Sequence, residues 1–305
     1  MEGVPAAPGD ADASRIDCGM VPIAVRLGSM SAWRFDQERL TEVAQKHADR
    51  YRAALPFPHV TLDGIFPDAL LEEVVAAFPS ATDPGWLRHD TTRQRKLQWE
   101  DAARLPPAAA HFVALLQSAA FVRFLERLTG ITGLVGDPEC QDSGPHRTES
   151  GGYLKIHADQ NLQDRLWLYR CIDVIVFLNR RWDAHWGGEL ELWNSDMSRV
   201  CEKISPQFNR TVIFSVLPPS NHGQPDPTRS PLDTGRCSIA QYYYISRENP
   251  YWSGYQRRVP GFWARPGERR PKRAWHHVRS DVLPPLVLRE LQRLRNRRRE
   301  RGRRR

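Results

Sequence analysis

Apolar residues follow a helical period in three stretches in the first half of the chain. The spacing predicts helices over residues 37–51, 69–78 and 108–128, because apolar side chains three and four positions apart fall on one helix face. Pro79 ends the second stretch and Gly130 closes the third, in keeping with the residues that stop helices. We expect these helices to pack on the outside of a sheet.

From about residue 131 the pattern changes to short apolar runs separated by Gly, Pro, Asn and Asp, which is typical of strands joined by turns. The runs predict strands at 153–157, 170–178, 189–193, 199–204, 211–216 and 237–245. Helices first and strands later predict an α+β chain, mainly β. We expect a double-stranded β-helix (jelly-roll) core supported by N-terminal helices.

Both ends of the chain lack this periodicity. Residues 1–30 are rich in Ala, Gly, Pro and Asp and are predicted to be a flexible leader. Residues 31–285 are expected to form a single catalytic domain, with the jelly-roll core at about 131–246. Residues 246–280 either cover the barrel or form a substrate lid, and 286–305 are expected to be a helix end and a disordered, Arg-rich tail.

Charge is concentrated at one end of the chain. The formal net charge is +8, and residues 289–305 contain ten Arg and two Glu. Without them, 44 basic and 36 acidic residues become 34 of each, so the body is formally neutral. Such tails are usually solvated, and the alternative is a specific acidic partner.

Cysteine usage and hydropathy indicate the cellular compartment of the protein. The five cysteines are an odd number without a CxxC pair, which argues against a disulfide framework or a structural zinc site. No stretch approaches the roughly 18 consecutive apolar residues of a membrane span, and the N-terminus lacks the pattern of an export signal. We therefore expect a cytoplasmic protein without membrane contact.

The candidate chemistry lies in His157-Ala158-Asp159 and in His222. Alternate side chains on a strand share a face about 6.6 Å apart, so His157 and Asp159 can converge on one ion. His222 follows the apolar run 212–216 and can supply a third ligand. Two imidazoles and one carboxylate are the ligand set of a non-haem Fe(II) oxygenase, and they leave positions open for a cosubstrate and O2.

Five blocks of sequence carry a family resemblance. They are GGYLKIHAD at 151–159, GGELELW at 187–193, NRTVIF at 209–214, HGQPDP at 222–227 and RCSIAQYYY at 236–244. In this order they resemble the bacterial 2-oxoglutarate/Fe(II)-dependent dioxygenases of the prolyl-4-hydroxylase-like superfamily, and segment 57–63 resembles the first strand of that family. Asn221 and Gln224 differ from the residues that are common at these positions in the family, which puts the substrate in doubt and not the iron.

The resemblance implies that His157, Asp159 and His222 bind Fe(II), with 2-oxoglutarate and O2 as cosubstrates and ascorbate as an optional reductant. Oxidative decarboxylation would release succinate and CO2 and oxidise the substrate. Asp159 favours hydroxylation, since related halogenases have a small residue in its place.

Arg236 and Ser238 share one face of the last predicted strand. A guanidinium can bind the distal carboxylate of 2-oxoglutarate with two hydrogen bonds, and the hydroxyl can add a third. The alternative for Arg236 is a surface position paired with an acid. Alkylation-repair dioxygenases carry a second Arg six residues after the first, and Tyr242 occupies that position here, so nucleobase demethylation is not expected.

Tyr153 and Lys155 share the strand face of His157. One interpretation places both in the barrel, with Tyr153 bound to the cosubstrate and Lys155 to the cosubstrate or the substrate. The other places Tyr153 in the core and extends Lys155 outward to solvent.

Three further residues are candidate substrate contacts: Trp193, Asp173 and Asn221. Trp193 is alternatively a core residue, and Asp173 alternatively has a buried hydrogen-bond partner. His146 and His185 precede Gly-rich turns and are expected in loops rather than as ligands.

We expect an enzyme that hydroxylates an unactivated C–H bond of a small polar metabolite, such as a sugar-like, cyclitol or amino-acid-derived compound of antibiotic biosynthesis. The first alternative is a prolyl hydroxylase acting on a peptide or protein, which would need an open groove. An alternative from another class is a catalytically silent barrel whose Arg-rich tail binds nucleic acid or an anionic surface. The complete ligand set argues against that last hypothesis.

Overall fold

The computed structural model describes residues 34–99, 101–137, 140, 142–163, 166–216, 220–246 and 261–268. The predicted leader at 1–30, the tail at 286–305 and most of the segment 246–280 lie outside the described residues.

The described residues form four α-helices and fourteen strands. The helices are α1 Gln37–Ala53, α2 Asp68–Ala76, α3 Pro107–Leu116 and α4 Ala119–Thr129. The strands are β1 His59–Asp63, β2 Trp86–Asp90, β3 Gln94–Trp99, β4 Val135–Gly136, β5 Gly144–Thr148, β6 Tyr153–Ala158, β7 Leu162–Gln163, β8 Leu168–Phe177, β9 Leu190–Trp193, β10 Val200–Ile204, β11 Arg210–Ser215, β12 Asn221–Gln224, β13 Arg236–Ser246 and β14 Gly261–Phe262.

The helix predicted at 108–128 is wrong as a single element, because it consists of α3 and α4, which meet at 47°. Ser118 has an extended backbone at the break, and its hydroxyl accepts a hydrogen bond from the Phe121 amide, which begins α4 as a separate helix. Gly130 ends α4 in the left-handed conformation, as predicted. In the described part of the chain no single helix has the length and apolarity to span a membrane, although this bent pair together meets both criteria.

The main path of the sheet runs β1-β11-β8-β13-β5-β3-β6-β12-β9-β10, and the described strand pairs are antiparallel. The two ends of this path face each other, because Phe214 of β11 and Leu192 of β9 belong to one buried apolar cluster with Ile204 of β10. The sheet therefore closes on itself into a barrel-like form. This confirms the prediction of a mainly β, double-stranded β-helix fold.

Seven strands of this sheet were not predicted: β2, β3, β4, β5, β7, β12 and β14. β2 and β3 also precede residue 131, so strands are not confined to the later part of the chain. Their sequences, WLRHD and QRKLQW, are polar and lack a run of β-branched residues. They are strands because neighbouring strands pair with them, which local propensity does not reveal.

The helices cover the outer face of β8, β11 and β13. Tyr243 of β13 is buried there, and its hydroxyl donates to the Leu116 carbonyl at 2.6 Å. Tyr51 of α1 hydrogen-bonds Ser215 of β11 at 2.7 Å. Since side chains alternate along a strand, Tyr242 and Tyr244 point away from the helices, and the inner face is left for a cavity.

Candidate active site

The antiparallel pairing of β6 with β12 brings the three predicted metal ligands together. His157 of β6 lies directly opposite His222 of β12 in the register. Gly223 permits this approach, because a Cβ at that position would lie 2.8 Å from the Leu154 carbonyl oxygen. The strand pairing therefore places both imidazoles on the inner side of the barrel, beside Asp159.

One donor atom from each of His157, Asp159 and His222 lies within 4.8 Å of the others, close enough to share one ion. The Nε2 atoms of His157 and His222 are each 3.4 Å from a different carboxylate oxygen of Asp159. The cluster is buried, since the Asp159 side chain is 14 % exposed and the two histidine side chains less. The predicted convergence of these residues is thus a feature of the structure.

The orientation of each imidazole suits a metal ligand. The His157 Nδ1 lies 3.0 Å from the Lys155 carbonyl oxygen, and the His222 Nδ1 lies 3.0 Å from the Ser220 carbonyl oxygen. A carbonyl only accepts, so Nδ1 carries the proton and the Nε2 lone pair is free toward the cluster. Two imidazole nitrogens and a carboxylate, each with an outer hydrogen-bond partner, fit Fe(II).

Arg170 of β8 supports the carboxylate of this cluster. Its guanidinium donates to Asp159 at 3.2 Å and binds Asp173 through Nε at 2.6 Å and through a second nitrogen, while the aromatic ring of Tyr242 lies 3.4 Å from its central carbon. Burial would raise the pKa of Asp159, but Arg170 and His222 hold that pKa well below its usual range. Asp159 is therefore an anion ready to bind a cation.

Arg236 lies elsewhere in the same cavity. Its Nε donates to the Gly188 carbonyl at 2.7 Å, and its guanidinium packs 4.7 Å from the centre of the Phe177 ring. Burial lowers the pKa of Arg236 to about 10, so the group remains cationic at neutral pH. In the part of the chain that the structure describes, no acid pairs with Arg236, which disfavours the predicted alternative of a surface ion pair. Ser238, two residues later, lines the same cavity.

The cavity that contains both groups has a volume of ≈ 320 Å³. Most of the residues that line it are polar: β3 contributes Gln94, Lys96 and Gln98, β5 contributes His146 and Thr148, and β13 contributes Arg236 and Ser238. Leu154, Ile175, Leu190, Ala240 and Phe262 provide apolar surface.

The placement of Tyr153 and Lys155 in the barrel was wrong. The Tyr153 hydroxyl donates to the Thr91 carbonyl outside the cavity, and the Lys155 ammonium pairs with Glu268 at 3.1 Å. The register of β6 against β12 shifts, so that His157 opposite His222 is followed by Leu154 opposite Gln224. Three residues of β6 span two of β12, and this irregularity turns Leu154 toward the cavity in place of its neighbours.

Trp193 and Asn221 also lie outside the cavity. They face each other across β9 and β12, on the side opposite to His222. The Trp193 indole donates to Glu191 at 2.9 Å, and the Asn221 amide donates to the Asn194 carbonyl at 3.2 Å. Both are buried structural residues, because one position of alternation separates them from the cavity face.

Asp173 satisfies both predicted alternatives, since it lines the cavity and is paired with Arg170. Burial raises the pKa of Asp173 to about 8. His146 is wrong as a loop residue, because it lies on β5 and lines the cavity. His185 is an exposed residue of a short 3-10 helix and hydrogen-bonds Asp183.

Sequence reasoning missed Lys96, Gln98 and Arg170 as cavity residues. A signal existed for Arg170, which is an Arg at the start of the most apolar predicted strand, three residues before Asp173. Lys96 and Gln98 carried no such signal, because β3 has no apolar pattern to reveal its inner face.

Comparisons with known proteins agree with this geometry. The family model of the 2OG-Fe(II) oxygenase superfamily matches residues 143–244, about a third of the chain, and this segment contains the whole cluster and Arg236. The match confirms the expected family resemblance. Members of the family use Fe(II), 2-oxoglutarate and O2.

Among solved structures, a prolyl hydroxylase from Trichoplax adhaerens, in complex with a peptide of the hypoxia inducible factor oxygen degradation domain, is 16% identical with a TM-score of 0.51 and covers 72% of this chain and 96% of its own. A Pseudomonas putida prolyl-4-hydroxylase is 17% identical with a TM-score of 0.49 and covers 68% and 99%. HygX from Streptomyces hygroscopicus, solved with nickel, 2-oxoglutarate and hygromycin B, is 11% identical with a TM-score of 0.42 and covers 62% and 83%. The first likeness supports the fold.

Proposed function

We propose that the protein is a 2-oxoglutarate-dependent Fe(II) dioxygenase that hydroxylates an unactivated C–H bond of a small polar metabolite, with release of succinate and CO2. The match of the 2OG-Fe(II) oxygenase family model to residues 143–244 supports this proposal. The observation that carries this proposal is a cavity that contains both the His157, Asp159 and His222 cluster and the Arg236 guanidinium, which has no acidic partner among the described residues. One cavity thus offers a metal site and an anion site.

In this proposal the cluster holds the iron through the two Nε2 atoms and the Asp159 carboxylate. The iron supplies the chemistry that couples O2 to C–H cleavage. The residues around it keep the ligands ready: the Lys155 and Ser220 carbonyls fix the imidazole tautomers, and Arg170 holds the carboxylate ionised.

Arg236 and Ser238 would bind the distal carboxylate of 2-oxoglutarate, because both line the cavity that contains the cluster. The cavity isolates the Arg236 guanidinium from water, and a charge-assisted hydrogen bond is stronger in such surroundings. Tyr153 has no part in this anchor because it lies outside the cavity.

The size and polarity of the cavity support a small polar substrate. Ligand cavities span about 300–1,000 Å³. A volume of ≈ 320 Å³ must admit 2-oxoglutarate together with the reacting part of the substrate, which favours a compact molecule. Amide, hydroxyl and ammonium groups on β3, β5 and β13 suit hydrogen bonding to it.

The test is Asp159→Ala in the full chain. We expect iron binding, measured by equilibrium dialysis, to weaken strongly and succinate formation to fall to background, while the circular dichroism spectrum is unchanged. Asp63→Ala is a matched control, because Asp63 is an exposed aspartate that pairs with Arg210 on the outside of β1. Unchanged succinate formation in Asp159→Ala would refute the metal site, and turnover of a proline peptide in preference to small metabolites would refute the substrate class.

A further inference from the structure

The cavity contains one cation for which the proposed reaction has no role. Among the described residues, three cationic side chains line it: Lys96, Arg170 and Arg236. Arg170 is occupied by Asp159 and Asp173, and Arg236 is reserved for 2-oxoglutarate in the proposed function, on which this inference rests. Lys96 remains.

Lys96 faces the cavity from β3, the strand that lies between β5 and β6. Its neighbours Arg95 and Leu97 pair with Tyr153 and Arg147, and alternation turns them away from the cavity. β6 carries His157 on one side of β3, while on the other side β5 pairs with β13, the strand of Arg236. Lys96 therefore lies on the cavity wall between the metal cluster and the cosubstrate anchor.

Within the described residues, no carboxylate lies within ion-pair distance of the Lys96 ammonium and no hydrogen bond engages it. The nearest acids that favour its charged form are Asp142 and Asp159. Asp142 already accepts a hydrogen bond from Gln98 at 2.8 Å, and Asp159 belongs to the cluster. His146 on the same wall does not act as a second cation, because burial and Lys96 hold its pKa well below the usual value.

The anionic groups of the cosubstrate are both accounted for. 2-Oxoglutarate has two carboxylates, one beside the keto group at the metal and the other at Arg236. Lys96 is half-buried, and an anion bound beside a half-buried cation gains more Coulomb energy than it would in bulk water. The anion that pairs with Lys96 must therefore come from the primary substrate.

We infer that Lys96 binds an anionic group of the primary substrate, a carboxylate or a phosphate, and so selects small acidic molecules for hydroxylation. With its anion held on the wall between β5 and β6, the substrate presents a carbon a short distance from that group to the metal. Neutral sugars and cyclitols are poor substrates, whereas amino acids and phosphorylated polyols carry the required charge.

The test compares wild type with Lys96→Met, which keeps the length of the side chain and removes the charge. The control is Arg95→Met, which removes an exposed cation from the adjacent position of the same strand. The probes are matched pairs: L-proline with L-prolinamide, L-arginine with L-argininamide, and myo-inositol 1-phosphate with myo-inositol. Binding to the full chain is measured by calorimetry, and turnover by succinate release, each at saturating 2-oxoglutarate.

We expect wild type and Arg95→Met to bind the probe with the carboxylate or phosphate at least about tenfold more tightly than the partner that lacks this anionic group, since one charge-assisted hydrogen bond contributes roughly 1.5–3 kcal/mol. Lys96→Met loses this preference and keeps the wild-type KM for 2-oxoglutarate. Lys96→Arg retains the preference, and Lys96→Gln replaces the Met variant if that one does not fold.

Three results would overturn the inference. Wild type binds both members of each pair equally, wild type binds no probe that carries a carboxylate or phosphate, or Lys96→Met has a raised KM for 2-oxoglutarate. Succinate formation in the absence of a primary substrate distinguishes failure of the Lys96 inference from failure of the proposed function. If it persists in wild type, the dioxygenase proposal stands although the role of Lys96 does not.

Discussion

At the residue scale, burial decides what each charged group of the cavity can do. Asp159 is held in the charged state by Arg170 and the two imidazoles, and Arg170 is held in the charged state by Asp159 and Asp173. Arg236 has no acidic partner in the described part of the chain, and burial lowers its pKa only to about 10. It therefore stays cationic throughout the neutral range and is available to a carboxylate.

Arg236→Ala should raise the KM for 2-oxoglutarate by at least about tenfold, because it removes a charge-assisted hydrogen bond of roughly 1.5–3 kcal/mol. The KM for the primary substrate should change little. Steady-state succinate release at varied 2-oxoglutarate measures the effect. Arg236→Lys keeps the charge but lacks the planar guanidinium, so its KM for 2-oxoglutarate should lie between those of wild type and Arg236→Ala. An effect on the primary substrate alone would contradict the anchor.

Lys96 gives the reaction a pH dependence. Burial lowers the pKa of Lys96 to about 8, so the ammonium is charged below that pH and loses its charge as pH rises through it. The charged and titratable groups around it are Asp142, Asp159, Arg170, Arg236, His146 and His89. We expect the KM for an acidic substrate to rise above about pH 8.

The check is a pH series of initial rates with wild type and Lys96→Arg. An arginine stays protonated at these pH values, so the alkaline rise in KM should move to higher pH in the variant. A rise at the same pH in both proteins would mean that another group titrates.

At the element scale, the pairing of β6 with β12 brings His157 and His222 together beside Asp159. The register irregularity in β6 sets which of its side chains face inward, and Gly223 lets β12 approach. Neither feature contributes a ligand atom, yet both fix the distance between His157 and His222. Local strand geometry is therefore as important here as the donor residues.

Gly223→Ala should weaken iron binding by about tenfold or more, an effect typical of residues that position ligands. The new Cβ would lie 2.8 Å from the Leu154 carbonyl oxygen, so β12 must move away from β6. Equilibrium dialysis with iron measures the loss. Gly235→Ala is the control, because its Cβ would meet only the flexible end of the Arg147 side chain. Equal affinities in the two variants would show that the approach of β12 is not required.

At the scale of the whole molecule, closure of the sheet joins strands that are distant in sequence into one cavity. Residues of β3 near position 96 and of β13 near position 240 line the same space. The net charge of +8 resides in residues 289–305, which lie outside the described part, because residues 1–288 carry equal numbers of basic and acidic residues. A single domain over 31–285 stays a prediction.

Deleting residues 289–305 should leave succinate formation unchanged, because the predicted catalytic groups all lie in the barrel. The deletion should abolish binding to a heparin column at low salt, since ten of the chain's Arg residues are removed. No turnover by the full chain, together with heparin binding that depends on the tail, would favour the alternative of a catalytically silent barrel.

The sequence by itself identified the three residues of the cluster and the Arg236 that shares their cavity, because HxD, a later His and Arg-x-Ser are local patterns whose chemistry does not depend on distant neighbours. It also determined the mainly β fold, since strand periodicity from residue 153 onward is strong. Tertiary structure alone decided which other residues reach the cavity. Tyr153 and Lys155 were misplaced by one irregular register, and Lys96 was hidden in a polar strand whose inner face exists only through pairing with β5 and β6.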